Sequence, residues 1–287
     1  MREGEGVKLG VALGGGGARG LAHAGFLAEL ARAGFSPAYL AGTSMGAVVG
    51  GLYVAGHDMD KLIRVFSHLN LREIFGMPES YRQMLERSVG EALLERFRGP
   101  SWKHEPSPRL ARMLELLRLF GKGLSFEELA RPFAAVAADL ITGEEVVIRT
   151  GPLYLGLAAS AALPGVFHPI PWHGRWLIDG GVVNNLPADV VVDMGAEVVV
   201  AVDVSAPLAS NPSTTMEVVL QSYAITARQL VRVKLARVRE RLGERLIYVR
   251  PEVEGIGVLE FERLPEAVAA GRAAAQAAIA RIRAAFG

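Results

Sequence analysis

Leu40-Ala41-Gly42-Thr43-Ser44-Met45-Gly46-Ala47-Val48-Val49-Gly50 decides how this chain is read. Residues 38–41 form a short apolar run of strand length, and residues 44–55 have the small-residue composition of a tightly packed helix. Between them stands Gly-x-Ser-x-Gly. That pattern lifts a serine hydroxyl out of a sharp strand-to-helix bend, where only glycine at the flanks avoids collision. The helix behind it directs backbone N–H groups and partial positive charge toward whatever the serine approaches. Ser44 is therefore the candidate nucleophile, within a supporting motif of Gly42, Met45 and Gly46. A plain serine N-cap is the competing reading, and the neighbouring motifs must decide between the two.

Upstream, residues 7–13 read as a buried first strand, Gly14 to Gly17 as a loop, and residues 19–33 as a helix closed by Gly34. This strand–helix alternation predicts a mainly parallel sheet covered by helices. The loop matches G-x-G-x-x-G at Gly15, Gly17 and Gly20. A dinucleotide site would also need an acid on the second strand, and Tyr39-Leu40-Ala41 holds none. A glycine loop can instead present N–H groups to an oxyanion. Gly15, Gly16 and Gly17 are the candidate donors, with the Met45 N–H a lesser one. Ala18 and Gly20 complete the loop. Arg19 is read as fixing it or biasing the local field, against the plainer reading of a surface arginine in a first helical turn. A tight turn without chemistry is the plain reading of the glycines.

Composition narrows the class. The 287 residues are 51% hydrophobic, enough for one large α/β domain. A net charge of +1 speaks against a chain built globally for nucleic acid. There are no cysteines, hence no disulfide, thiolate metal site or cysteine nucleophile. Nothing in the pattern calls for a metal or a cofactor. Residues 39–56 and 150–174 carry no Asp, Glu, Lys or Arg and so imitate membrane spans. The first contains the Ser44 turn and the second is broken by Pro152, Pro164, Pro169 and Pro171, so both fit a folded core better. The first six residues lack the apolar core of a signal peptide. The expectation is a soluble cytoplasmic protein, with peripheral membrane contact allowed.

Residues 58–125 show helical patterning without a convincing strand and are read as an insertion or cap within a single domain spanning 1–287. Tyr81, Met84, Leu85, Val89, Ala92, Leu93 and Phe97 fall on one face at helical spacing. Residues 109–120 are basic and amphipathic. They suit a packed cap helix more than one lying on an anionic lipid surface. Strands follow at 133–138 and 145–149, turning at Thr142-Gly143, then a helix at 153–162. A short strand at 175–178 leads into Asp179-Gly180-Gly181. A helix at 187–194, a strand at 197–204 and a helix-rich extension over 205–287 complete the domain. Residues 226–242 carry six basic side chains against Glu240, a solvated face or a contact for an acidic partner or a second copy.

A serine at neutral pH needs a base. None of the six histidines follows Asp179, which removes the Ser–acid–His order of α/β-hydrolases. His168 or His173 with Asp139 would make a triad, although their Pro-rich setting reads as a structural loop. Asp179 offers a simpler answer: it ends a short strand, and Gly180 and Gly181 let the backbone pass close to another element. A buried carboxylate there can take the Ser44 proton directly. Asp139 and Asp203 also end apolar strands but lack such glycines and are read as structural.

These blocks together resemble the patatin-like phospholipases, and especially their short bacterial members. The resemblance rests on the loop Gly15 to Gly20, the elbow Gly42 to Gly46, the block Ala159-Ser160-Ala161-Ala162-Leu163-Pro164-Gly165-Val166-Phe167, and Asp179-Gly180-Gly181, over about residues 7–203. It implies a three-layer α/β fold and metal-free hydrolysis of a lipid or small carboxylic ester. Ser44 would be the nucleophile, Asp179 the base, and the glycine loop the source of oxyanion donors. A non-catalytic lipid-binding or regulatory module on the same fold is the alternative.

Overall fold

A computed structural model of the chain describes residues 7–71, 107–205, 207–208, 210–212 and 215–286. Its centre is a parallel block of five strands: β1 (Leu9–Leu13), β2 (Tyr39–Thr43), β3 (Phe133–Asp139), β7 (Val198–Val202) and β8 (Leu246–Val249). Three antiparallel strands finish one side: β4 (Glu145–Ile148), β5 (Ile170–Trp172) and β6 (Arg175–Asp179). The sheet runs β5-β6-β3-β2-β1-β7-β8, with β4 also paired to β3.

Period-2 alternation sends side chains into two layers. Leu9, Val11 and Leu13, with Val198, Val200 and Val202, face a layer built from α1 (Ala22–Arg32), α2 (Met45–Val54), α5 (Leu153–Ser160) and α8 (Leu264–Ala284). Ala12, Ala41, Val199 and Ala201 face α6 (Ala188–Asp193) and α7 (Thr215–Leu242) on the other side. Helix, sheet and helix give the three-layer α/β architecture that the sequence predicts.

Between α2 and β3 the described residues form α3 (Met59–Ser67) and α4 (Pro108–Phe120). Asp58 caps α3 by accepting from the Lys61 N–H at 2.8 Å, and Ser107 caps α4 with Pro108 in its first turn. Helix α4 buries Leu110, Met113 and Leu117. The face expected between Tyr81 and Phe97 lies outside the described residues. No helix among the described residues is long and apolar enough to cross a membrane.

One segment departs from the expectation. The Pro-rich stretch read as a loop contains β5, an edge strand turned into β6 through His173 and Gly174, both at positive φ. Pro171 is tolerated there because an edge strand need not use every N–H.

β3 sets the key juxtaposition. Its consecutive residues Val136 and Ala137 are partnered by Thr43, the last residue of β2, and Asp179, the last residue of β6. Because β4 pairs with Ala135 to Ala138, it occupies the other edge of that segment. Strands β2 and β6 therefore meet end to end on one edge of β3, and the residues that follow them, Ser44 and Gly180, emerge together.

Candidate active site

Ser44 sits between β2 and α2 with φ 55° and ψ −124°, a conformation costly for any side chain. Close packing holds it there. A side chain on Gly42 would strike the Gly46 carbonyl and the Ala47 nitrogen, and one on Gly46 would strike the Leu13 carbonyl. The Ser44 N–H donates to Ser160 Oγ at 2.9 Å, and Ser160 Oγ donates to the Val136 carbonyl at 2.5 Å. Ser160 is completely buried, so this latch is shielded from water. Sequence reading placed Ser160 within a resembling block but assigned it no task. Its one signal was a lone hydroxyl in an otherwise apolar helix end.

Asp179 faces the serine. It is 3% exposed, and its Oδ1 accepts the Gly181 N–H at 2.8 Å. Burial raises its pKa to about 6. The neighbouring Ser44 hydroxyl and the hydrogen bond from Gly181 pull the other way without cancelling that rise. Gly180 is glycine for space, since a Cβ there would run into the Val136 carbonyl. The loop behind is tied down by Thr43 Oγ1, which donates to the Asn184 carbonyl at 2.7 Å. Asn184 Nδ2 in turn donates to Glu145 and Asp189, each at 2.8 Å, and Lys234 bridges the same two carboxylates from α7. The sequence reading missed this network, although the amides Asn184-Asn185 interrupt an apolar run.

The glycine loop closes a third side, and its donors are not equivalent. The Gly15 N–H already donates to the Asn185 carbonyl at 2.9 Å, and the Ala18 N–H to Val258 at 2.9 Å. Gly15 is thus removed from the donors expected of it. It serves instead as a close-packed wall, a Cβ there falling 3.1 Å from Ser44 Cβ. Gly16 and Gly17 are partly exposed, line the cavity, and have N–H groups without a partner among the described residues. Arg19 is no surface residue. It is 7% exposed and donates to the Val204 carbonyl at 3.1 Å and the Ile256 carbonyl at 2.8 Å, which pins the loop to the C-terminal segment. Burial, then the nearby Arg250, hold its pKa below the usual value. His23 is fully buried with Nε2 2.7 Å from the Gly14 carbonyl, and burial lowers its pKa to about 4. It is a neutral strut under the loop.

Asp139 spends its Oδ1 on the Ile141 and Thr142 N–H groups of the β3–β4 turn and pairs with Arg175. Among the described residues, no histidine lines the cavity around Ser44 and Asp179. The triad alternative thus has no partner at the site.

A cavity of about 380 Å³ opens over Ser44, Asp179, Gly16 and Gly17 toward α7. A narrower apolar pocket of about 80 Å³ leads from Ser44 the other way, between Met45, Val48, Met113, Leu117, Leu163 and Phe167. A third small pocket shares Met45, Val48, Leu117 and Phe261 with it and continues toward Phe66 and Phe120.

Fold and site together define a class: a three-layer α/β protein with a serine on a strained strand–helix elbow, faced by a buried aspartate and a glycine loop. The patatin-like phospholipase profile matches residues 11–192, and the chain belongs to the patatin-like phospholipase family. Uncharacterized NTE family protein Rv1063c of Mycobacterium tuberculosis is 33% identical over 215 residues, 73% of this chain and 54% of its own length. Uncharacterized NTE family protein Rv2565 from the same organism is 31% identical over 296 residues, 96% of this chain and 47% of its own. Mouse patatin-like phospholipase domain-containing protein 7 is 29% identical over 293 residues, 91% of this chain and 20% of its own. The chain thus spans about half the length of these mycobacterial relatives. Among solved structures, VipD from Legionella pneumophila superposes with a TM-score of 0.48 at 14% identity, covering 96% of this chain and 67% of that one.

Proposed function

We propose that this chain is a lipid acyl ester hydrolase working through a Ser44–Asp179 dyad without metal or cofactor. The observation that carries the reading is the strained Ser44 on one cavity wall with Asp179, a buried carboxylate whose pKa burial raises to about 6. Family membership supports the reaction class.

Ser44 Oγ attacks the acyl carbon, and its proton passes to Asp179. The resulting oxyanion lies against the Gly16 and Gly17 N–H groups, where each preorganised donor contributes about 2.7–4 kcal/mol. Collapse expels the alcohol, which takes the proton from Asp179 and leaves an acyl-enzyme on Ser44. Water, losing its proton to Asp179, then hydrolyses that ester. The apolar pocket flanked by Met113 and Leu117 accepts the acyl chain.

The test is hydrolysis of short- and long-chain p-nitrophenyl esters with chelator present. An acid quench and mass spectrometry would locate the acyl group. Activity, with the acyl mass on the Ser44 peptide, is the expected result. A well-folded wild type that cleaves no ester would leave the lipid-binding module instead.

A further inference from the structure

Removing an acyl group from Ser44 asks more of the site than placing it there. The serine hydroxyl has one proton to give up, and one acceptor suffices. Water has two O–H bonds. One proton goes to the base as the oxygen attacks, and the other O–H needs an acceptor of its own inside a desolvated cavity.

Asn185 stands on the turn that follows Asp179 and lines the cavity over Ser44. It grips the glycine loop twice. Its backbone carbonyl accepts the Gly15 N–H at 2.9 Å, and its Nδ2 donates to the Gly15 carbonyl at 3.1 Å. A carbonyl can only accept, so this second bond fixes which way the amide faces and leaves Oδ1 over. Among the described residues Oδ1 accepts no hydrogen bond. Two glycines locate it. A Cβ on Gly15 would fall 2.5 Å from Asn185 Oδ1 and 3.1 Å from Ser44 Cβ. One on Gly181 would fall 3.0 Å from Asn185 Oδ1, 3.1 Å from Asp179 Oδ1 and 3.4 Å from Tyr223 Oη. Oδ1 thus borders both the serine and the aspartate, across space that only glycine leaves open. Two O–H···O bonds of about 2.8 Å each are long enough for one water to hold both side chains.

We propose that Asn185 is a catalytic residue of deacylation, its Oδ1 holding the attacking water by the second O–H. The water oxygen bonds to the acyl carbon while one proton passes to Asp179. The other stays on oxygen and donates to Asn185. Collapse breaks the bond to Ser44 Oγ, which takes the proton back from Asp179, and the carboxylic acid leaves. This rests on the ester hydrolase reading.

Competition between water and methanol for the acyl-enzyme tests it, because methanol brings one O–H and needs only Asp179. A p-nitrophenyl ester is cleaved with methanol present, and carboxylic acid and methyl ester are measured above a Ser44→Ala blank. Asn185→Ala is expected to raise the ratio of methyl ester to acid about tenfold over wild type, the scale of one lost hydrogen bond. This ratio does not depend on how much of the variant is folded. Asn185→Leu, closer in volume, should raise it too and serves if Asn185→Ala yields no folded enzyme. Asn185→Asp keeps an acceptor without the donor and should hold the wild-type ratio. A rise there as well would make the lost grip on Gly15 the cause and overturn the proposal. So would an unchanged ratio in the Ala and Leu variants, however far their rates fall. A rise in Tyr223→Phe alone would give the role to the phenol instead. A folded wild type that releases no p-nitrophenol would overturn the hydrolase reading, and this proposal with it.

Discussion

The ends of β6 and β7 are close to copies of one another, and only one of them carries the base of the proposed dyad. Asp179 and Asp203 each follow an apolar strand, each is 3% exposed, and each accepts the N–H two residues on, from Gly181 at 2.8 Å and Ser205 at 2.9 Å. The difference lies in what faces the second oxygen. Asp203 meets Tyr248 Oη and the Arg250 guanidinium, which neutralise it. Asp179 faces the Ser44 hydroxyl and, among the described residues, no cation, and burial lifts its pKa to about 6. Burial of a carboxylate does not by itself make a base. On the proposed mechanism the base is the buried carboxylate left without a countercharge beside a hydroxyl.

Activity should break this comparison most sharply. Ser44→Ala and Asp179→Asn are each expected to lower kcat by about 10⁴–10⁶-fold, the scale for losing a member of a catalytic unit. Asp203→Asn, in the same assay, should stay within about tenfold. Equal losses at the two aspartates would mean that the second oxygen's partners do not decide the role. The pH profile follows from the same difference. Asp179 must be ionised to accept the proton, so kcat/KM should rise through a pH of about 6 and level off above it. A rate flat from pH 5 to 8 would remove Asp179 as the base.

How much of this was visible in the letters differs between the two halves of the site. Ser44 was legible because its elbow is local: strand, bend and helix are contiguous, and the glycines that permit it flank the serine. The close approach at Asp179 was legible through Gly180 and Gly181, although the reason for Gly180, the Val136 carbonyl, lies on another strand. The packing role of Gly15 was not legible, and for Arg19 the sequence left fixing the loop and an ordinary surface position both open. Whether an N–H is free depends on Asn185, 170 residues away, and whether an arginine is buried depends on Val204 and Ile256. The strand at Ile170–Trp172 was hidden for a related reason, since prolines disfavour a strand everywhere except at an edge.

Stability should separate the two aspartates in sign. A free aspartate ionises near pH 4 and Asp179 near 6, so the unfolded chain ionises first. Its burial thus costs stability progressively as pH rises from about 4 to 6, and fully above that range. Asp179→Asn is expected to stabilise by up to about 3 kcal/mol at pH 8, two pKa units at 1.36 kcal/mol each, and by little at pH 4. Asp203→Ala should do the reverse, destabilising by about 2 kcal/mol. That figure sits below the usual cost of breaking a buried pair because the Arg250 side chain keeps 31% of its exposure. Denaturant titrations at the two pH values read both effects.

The smallest expected change tests what keeps Ser44 against its partner, a need that Asp203 does not have. Ser160→Ala removes the acceptor for the Ser44 N–H and frees the Val136 carbonyl in a dry site, at a cost of about 1–3 kcal/mol. A purely structural role would show only as that lower stability. If the latch also holds the elbow in its strained conformation, kcat should fall about tenfold or more at temperatures where the variant is fully folded, with KM little changed. Ser160→Thr keeps the hydroxyl and should recover the rate wherever its extra methyl is accommodated. An unaltered kcat in a destabilised Ser160→Ala would mean that the glycine contacts at Gly42 and Gly46 hold the elbow without help.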